Sequence, residues 1–286
     1  MTILVFGKTG QVARELLALA PVTALGREEA DLSVAGTCAA AIERHAPTAV
    51  INAAAYTAVD RAEDEEELAT KVNGMAPAEM AQACAERGIP FVHLSTDYVF
   101  SGSGDAPWWP DDCAAPVSAY GRSKLLGEQG VAAAGGRYAI LRTSWVFSAI
   151  GQNFVKTMLR LGSERDHLRV VADQIGGPTP ANEIASSCLT IAEQLAQHSD
   201  KAGTYHFAGT PDTSWADFAR AIFAKAGLAC EVADIDTVDY PTPACRPANS
   251  RLDCSSLEAT FGISRPDWRA GLSVMLQGIE QRKVEQ

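Results

Sequence analysis

Short apolar runs alternating with stretches of helical period, a glycine turn between the first run and the first helix, and a chain of 286 residues predict an α/β protein. The expected form is a doubly wound parallel sheet of the Rossmann type with a smaller C-terminal substrate-binding lobe. Parallel strands need long crossovers, and a helical stretch fills nearly every gap, so the alternation argues for right-handed βαβ units. Residues 1–150 are expected to form a dinucleotide-binding domain, with a returning segment at about 181–210. The remainder, 151–180 and 211–286, is assigned to the second lobe.

The first strand is Ile3 to Phe6, followed by Val22 to Leu25, Ala49 to Asn52, Phe91 to Leu94, Ala139 to Arg142 and Leu168 to Val171. Each is short, apolar and bounded by turn residues, as a strand buried on both faces should be. Helices are expected over Gln11 to Leu19, Val34 to Arg44, Glu67 to Glu86, Ala119 to Ala133 and Asn153 to Leu161. Beyond Asp173 the alternation weakens. Gly176, Gly177, Pro178 and Pro180 mark a loop, a helix follows over Glu183 to Gln197, and Ser214 with Asp217 forms a cap signal opening another to Ala226. Residues 236–252 carry three prolines and no period, and the polar end from about Gln281 reads as a frayed terminus.

A net charge of -11 with 47% apolar and 21% charged residues supports a sizeable core and argues against a nucleic-acid surface, which would show a basic excess. The seven cysteines form no C-x-x-C pair and no metal-like spacing to histidine, so they read as reduced thiols. No run approaches the ~18 to 20 apolar residues of a membrane helix, and Met1 leads straight into the first strand. A cytoplasmic location without membrane partners is the expectation.

Gly7-Lys-Thr9-Gly10-Gln11-Val12-Ala13 joins the first strand to the first helix. Gly7 suits the sharp turn, Gly10 leaves room for a pyrophosphate, and Ala13 permits close packing, while the helix N-terminus offers N–H donors. The second strand ends in Gly26-Arg27 where an acid would bind an adenosine ribose. Arg27 suits a 2′-phosphate instead, which puts NADPH ahead of NADH, although a merely solvated arginine is the alternative. After the third strand, Ala53, Ala54 and Ala55 present the small side chains that a closely approaching ring requires.

Tyr120 and Lys124 lie four apart at the start of a helix, so they share a face. An ammonium near a phenol favours phenolate and lowers its pKa, fitting the phenol to protonate a carbonyl oxygen as hydride arrives. Thr96, at the end of the fourth strand, is a candidate donor to the same oxygen. Asp97 and Tyr98 could hold substrate hydroxyls, because ligands of α/β sheets bind at the carboxyl edge.

The blocks GKTGQVA, NAAAYTAVDRAE, LSTDYVFSG, YGRSK, LRTSWVF, NFVKTMLRL, DQIGGPT and RPANSRLD together resemble the dTDP-4-dehydrorhamnose reductase family, a branch of the extended short-chain dehydrogenase/reductases. The likeness runs from Ile3 to about Met275. It implies reduction of the C4 keto group of dTDP-4-dehydro-L-rhamnose to dTDP-L-rhamnose by NADPH or NADH. It makes Tyr120 the acid, Lys124 its tuning partner and nicotinamide-ribose ligand, and Thr96 the residue that adjusts the hydrogen bonding. Gly10, Gln11, Val12, Ala55, Tyr56 and Thr57 would line the cofactor, with Asp31 and Leu32 near the adenine. Thr96, Asp97 and Asn153 would touch the sugar, Trp145 would form its aromatic wall, and Arg246 and Arg251 would reach the diphosphate or thymidine side.

Some relatives bind Mg²⁺ at a dimer interface through three glutamates. Glu15 and Glu183 match two of these positions, but the third falls near Gly278, so no metal is expected and a homodimer of another kind is left open. Two alternatives use the same fold. One is a nucleotide-sugar epimerase or dehydratase that recycles its nicotinamide, and the other is a noncatalytic regulatory partner of a methionine adenosyltransferase.

Overall fold

The computed structural model describes residues 1–284. Its centre is a six-stranded parallel sheet built from β1 (Ile3–Phe6), β2 (Thr23–Leu25), β3 (Ala49–Asn52), β4 (Phe91–Thr96), β5 (Tyr138–Thr143) and, following β6 (His167–Val171) in the chain, β7 (Gly203–His206). The spatial order is β7-β5-β4-β3-β1-β2. The chain steps from β1 to β2 on one side and returns to place β3 on the other, and this switch opens a crevice at the carboxyl edge.

Alternate residues of β1 feed opposite cores, as the two-residue strand period requires. Ile3 and Val5 pack with Ile184, Ile191 and Leu195 of α7 (Ala181–Gln197) and Leu16 of α1 (Gln11–Leu19). Leu4 and Phe6 pack with Ile42 of α2 (Thr37–His45), Met80 of α4 (Ala76–Glu86) and Val131 of α5 (Ala119–Ala134). A third cluster joins Val155 and Met158 of α6 (Phe154–Glu164), Leu168 and Val170 of β6, Phe218 and Ile222 of α8 (Trp215–Ala226), and Leu272 of α10 (Trp268–Val284).

Several expected elements differ. Leu168–Val171 is a strand but not one of the central six. It pairs as β6 with β8 (Glu231–Ile235) in a separate two-stranded sheet, because its residues alternate between buried and exposed instead of being buried on both faces. The sixth central place goes to β7, whose four residues Gly-Thr-Tyr-His are strand-favouring in part but too few to show a period, and open on glycine.

The helix expected over 67–86 is interrupted. It starts as α3 (Glu66–Thr70), passes through a π-turn at Lys71–Met75 and resumes as α4. Asn153 is the cap of α6 and not its first residue, its side chain accepting from the Lys156 amide. Two further helices, α9 (Ser255–Phe261) and α10, carry no sequence expectation, and α10 runs through the polar end to Val284. The last two residues lie outside those described.

Candidate active site

The carboxyl edge of the sheet opens into a groove of about 1170 Å³ that runs from the glycine turn to Trp145. Gly7 has φ +108°, and a Cβ there would come within 2.8 Å of the Ala54 amide nitrogen, so a side chain would close the cradle. Gly10 caps α1 with no side-chain hydrogen bond, which leaves the first-turn N–H groups open to an anion. Thr9, Gln11, Val12, Ala53, Ala54, Ala55, Tyr56 and Thr57 line the same end. This cradle fits the pyrophosphate of a dinucleotide.

At the outer rim the exposed Arg27 reaches Asp31 at 3.0 Å. Asp31 also accepts from the Ser33 amide and hydroxyl, and these bonds with Arg27 lower its pKa to about 2. Leu32 lines the groove beside them.

Asn73, in the π-turn, accepts from the Tyr56 amide at 2.7 Å and donates to the Tyr56 carbonyl and to Ser123 Oγ of α5, each at 3.0 Å. It ties the cofactor-lining segment to the helix that bears Tyr120. Nothing in the sequence marks Asn73 except its context, since a π-turn has no residue signature. Such turns recur at functional sites.

Ser118 caps α5 by accepting from Gly121 at 3.1 Å, which fixes the first turn and aims Tyr120 into the groove. Tyr98 meets the Tyr120 ring edge to face, with centroids 5.4 Å apart. Burial raises the Tyr120 pKa above its ordinary value; the Thr96 hydroxyl opposes the shift through its hydrogen bond, and the Asp97 and Tyr98 charges add to it. The lowered phenol pKa expected from the Tyr-Lys spacing is therefore not what the protein alone provides. Lys124 does not act on that phenol directly: its Nζ donates to the Leu94 carbonyl at 2.6 Å and lies 3.4 Å from His93 Nε2. Burial lowers the Lys124 pKa to about 8 against the opposing charge of Glu128.

Thr96 donates to Asp97 Oδ1 at 3.0 Å and accepts from the Tyr98 amide at 3.2 Å. Asp97 Oδ2 is buried without a partner, as is Thr143 Oγ1 in the same wall. Burial raises the Asp97 pKa to about 6. Buried orphan oxygens are costly in a folded chain, and their gathering in a groove marks where a polar ligand completes them.

Trp145 adopts φ +50°, a left-handed conformation rare for a bulky side chain. Its indole stacks on Trp215 of α8 at 3.6 Å and 12°, and Trp215 Nε1 donates to Gln174 Oε1 at 3.2 Å. Trp215 and Gln174 were not singled out from the sequence, because each looks like packing until the fold brings it behind Trp145.

Three expected residues do not line the groove. Asn153 spends its amide on the cap of α6, on Gln11 Oε1 and on the Ser148 carbonyl. Arg246 pairs with Asp60 at 2.7 Å, with Nη1 buried and unpartnered. Arg251 is held by Asn249 Oδ1 and lies 3.9 Å from Asp212. Among the described residues no cluster has the ligand set of a metal site, and no helix is long and apolar enough to cross a membrane.

A parallel sheet with a glycine cradle at one end of its crevice and a Thr-Tyr-Lys group at the other defines a Rossmann-type nucleotide-dependent reductase. The chain belongs to the RmlD substrate binding domain family, whose model matches residues 1–281. It is 47% identical over 278 residues to a dTDP-4-dehydrorhamnose reductase of Sinorhizobium fredii, covering 94% of each chain. Among solved structures it is similar to a dTDP-4-dehydrorhamnose reductase of Clostridium acetobutylicum, with TM-score 0.92, 35% identity and coverage of 98% of this chain and 100% of that one. The Bacillus anthracis enzyme of the same name, crystallised in complex with NADP, gives TM-score 0.90 and 32% identity, covering 97% of this chain and 100% of that one.

Proposed function

We propose that this protein reduces the C4 keto group of dTDP-4-dehydro-L-rhamnose to give dTDP-L-rhamnose, using NADPH. The observation that carries the proposal is the convergence of Thr96, Tyr120 and Lys124 at one end of a groove whose other end is the Gly7 and Gly10 cradle. Bound NADPH supplies the hydride.

Tyr120, neutral at working pH, donates its proton to O4, and Thr96 turns its one hydroxyl proton from Asp97 Oδ1 to the same oxygen. Lys124 offers donors to a nicotinamide ribose in the groove beside the phenol. Asp97 Oδ2 accepts from a sugar hydroxyl, and Trp145 covers one face of the ring. Arg27 receives the adenosine 2′-phosphate. Arg246, whose Nη1 is free, is the better of the two arginines for the nucleotide end. Residues 151–180 and 211–286 act as the substrate lobe. The free state of all seven cysteines favours a reducing compartment, and we place the reaction in the cytoplasm.

Purified protein mixed with the 4-keto nucleotide sugar should oxidise NADPH stoichiometrically. Catalytic NADPH with full conversion of the sugar would mean an epimerase cycle, and no turnover of any dTDP-sugar would end the proposal.

A further inference from the structure

The Lys124 environment holds a group that no motif marks. His93 is fully buried on β4 and is not part of the groove wall, yet it joins Lys124 of the site to Asn52 at the end of β3. Asn52 lies opposite it in the sheet register, with Nδ2 3.1 Å from His93 Nδ1. Behind it, Nε2 lies 3.4 Å from Lys124 Nζ.

The Asn52 amide is not free to turn over. Its other terminal atom receives the Ala54 N–H at 3.1 Å, so that atom is the oxygen and the one facing His93 is the NH₂ donor. His93 Nδ1 must therefore accept. A neutral imidazole that accepts at Nδ1 carries its hydrogen on Nε2. The ring is neutral, because burial and the Lys124 charge both hold its pKa well below the ordinary value.

His93 thus presents an N–H, and not a lone pair, to the lysine. Against an ammonium this sets donor to donor, and 3.4 Å is long for any hydrogen bond; against an amine it is an N–H aimed at a lone pair. One ammonium proton is already taken by the Leu94 carbonyl. With the His93 side closed to donors, the remaining protons are directed into the groove.

The other charges nearby do not alter this. Glu128, one turn along α5, is engaged by Arg142 of β5 at 2.7 Å and by Ser95 of β4 at 2.5 Å. Asp97, Tyr98 and Tyr120 line the same groove, and among the described residues Nζ makes no hydrogen bond to them and no pair with a carboxylate.

We infer that His93, locked by Asn52 with its hydrogen on Nε2, is a positioning residue that turns the Lys124 donors into the groove and biases its nitrogen toward the amine. This rests on the role given to Lys124 under the proposed function.

The test begins with the intact ¹⁵N-labelled protein, in which long-range ¹H–¹⁵N correlation reads the tautomer of His93 directly. A neutral ring with hydrogen on Nε2 is expected from pH 6 to 9; hydrogen on Nδ1, or an imidazolium, overturns the inference. Asn52→Asp keeps the oxygen for Ala54 but replaces the donor by an acceptor, so His93 should switch its hydrogen to Nδ1. His93→Phe removes the opposing N–H without adding charge. In both variants the Lys124 side-chain resonance should titrate about one unit higher, a tenfold change in the amine fraction, and the alkaline limb of kcat should follow it. An unmoved titration in His93→Phe overturns the inference even if Asn52→Asp shifts, because charge alone would then explain the latter. The tautomer and the Lys124 titration need no turnover, so a failed reductase assignment, seen as no turnover of any dTDP-sugar, is distinguishable from a failed role for His93.

Discussion

Tyr120 is held as a neutral phenol, its pKa raised by burial and by the Asp97 charge, which is the form a proton donor needs before hydride transfer. Tyr120→Phe should lower kcat by about 10² to 10⁴ with little change in cofactor binding, measured by steady-state kinetics and NADPH titration. Asp97 has the opposite balance of stability and function. Its folded pKa of about 6 stands above the ordinary 3.8, so its contribution is fully present below pH ~4 and is lost as pH rises through 6. Asp97→Asn should therefore be more stable than wild type at pH 7 by about 3 kcal/mol. Urea unfolding should show that gap closing as pH falls from 6 to 4, while the KM for the sugar rises. Arg27→Ala should raise the KM for NADPH by about tenfold, from one lost charged contact, and leave that for NADH unchanged. At this scale the Tyr-Lys pair was readable because its spacing is a local matter of helix pitch. His93 and Asn73 were not, since one reaches the site through sheet register and the other through a π-turn.

Glycine-turn, strand-end and helix-start signals were also readable because each belongs to one element. Gly7 shows how tightly such an element is specified: with φ +108° and the Ala54 amide 2.8 Å from where a Cβ would be, Gly7→Ala combines backbone strain with a backbone clash. It should lower the unfolding midpoint and abolish NADPH binding, both measurable by calorimetry. α5 is fastened to the sheet by the Glu128–Arg142 pair, whose side chains are 5% and 7% exposed. Glu128→Ala leaves the guanidinium buried with the Pro110 carbonyl as acceptor but no counter-charge, which should cost about 3 to 5 kcal/mol in denaturant unfolding. What the sequence hid at this scale was partner choice. β6 and β7 are both short, and nothing local to either says which joins the central sheet; burial of α7 against β1 and β3 brings the chain back to β5 and decides it.

At the scale of the whole molecule, the three largest apolar clusters of the described residues are tied together by two polar links, Asn153 to Gln11 and Arg246 to Asp60, and by the Trp145 stack on Trp215. Acid should weaken it through its buried histidines. His206 titrates at about 3 in the folded protein against an ordinary 6.5, and His93 is shifted the same way, so stability is lost as pH falls below about 6.5. Asp97 opposes this loss between pH 6 and 4, so the check is made in Asp97→Asn, where thermal unfolding midpoints that stayed flat from pH 6.5 to 4 would contradict it. Across the groove, Trp215→Ala should raise the KM for the sugar by about tenfold while leaving the KM for NADPH near wild type, because it removes the support of Trp145 without touching the cofactor end. Two indoles 3.6 Å apart and nearly parallel are also one chromophore: their transitions couple and split into a circular-dichroism couplet that neither ring gives alone. Any ligand that presses on Trp145 must perturb that couplet, so the protein carries its own optical gauge of sugar binding, readable with no label and no turnover.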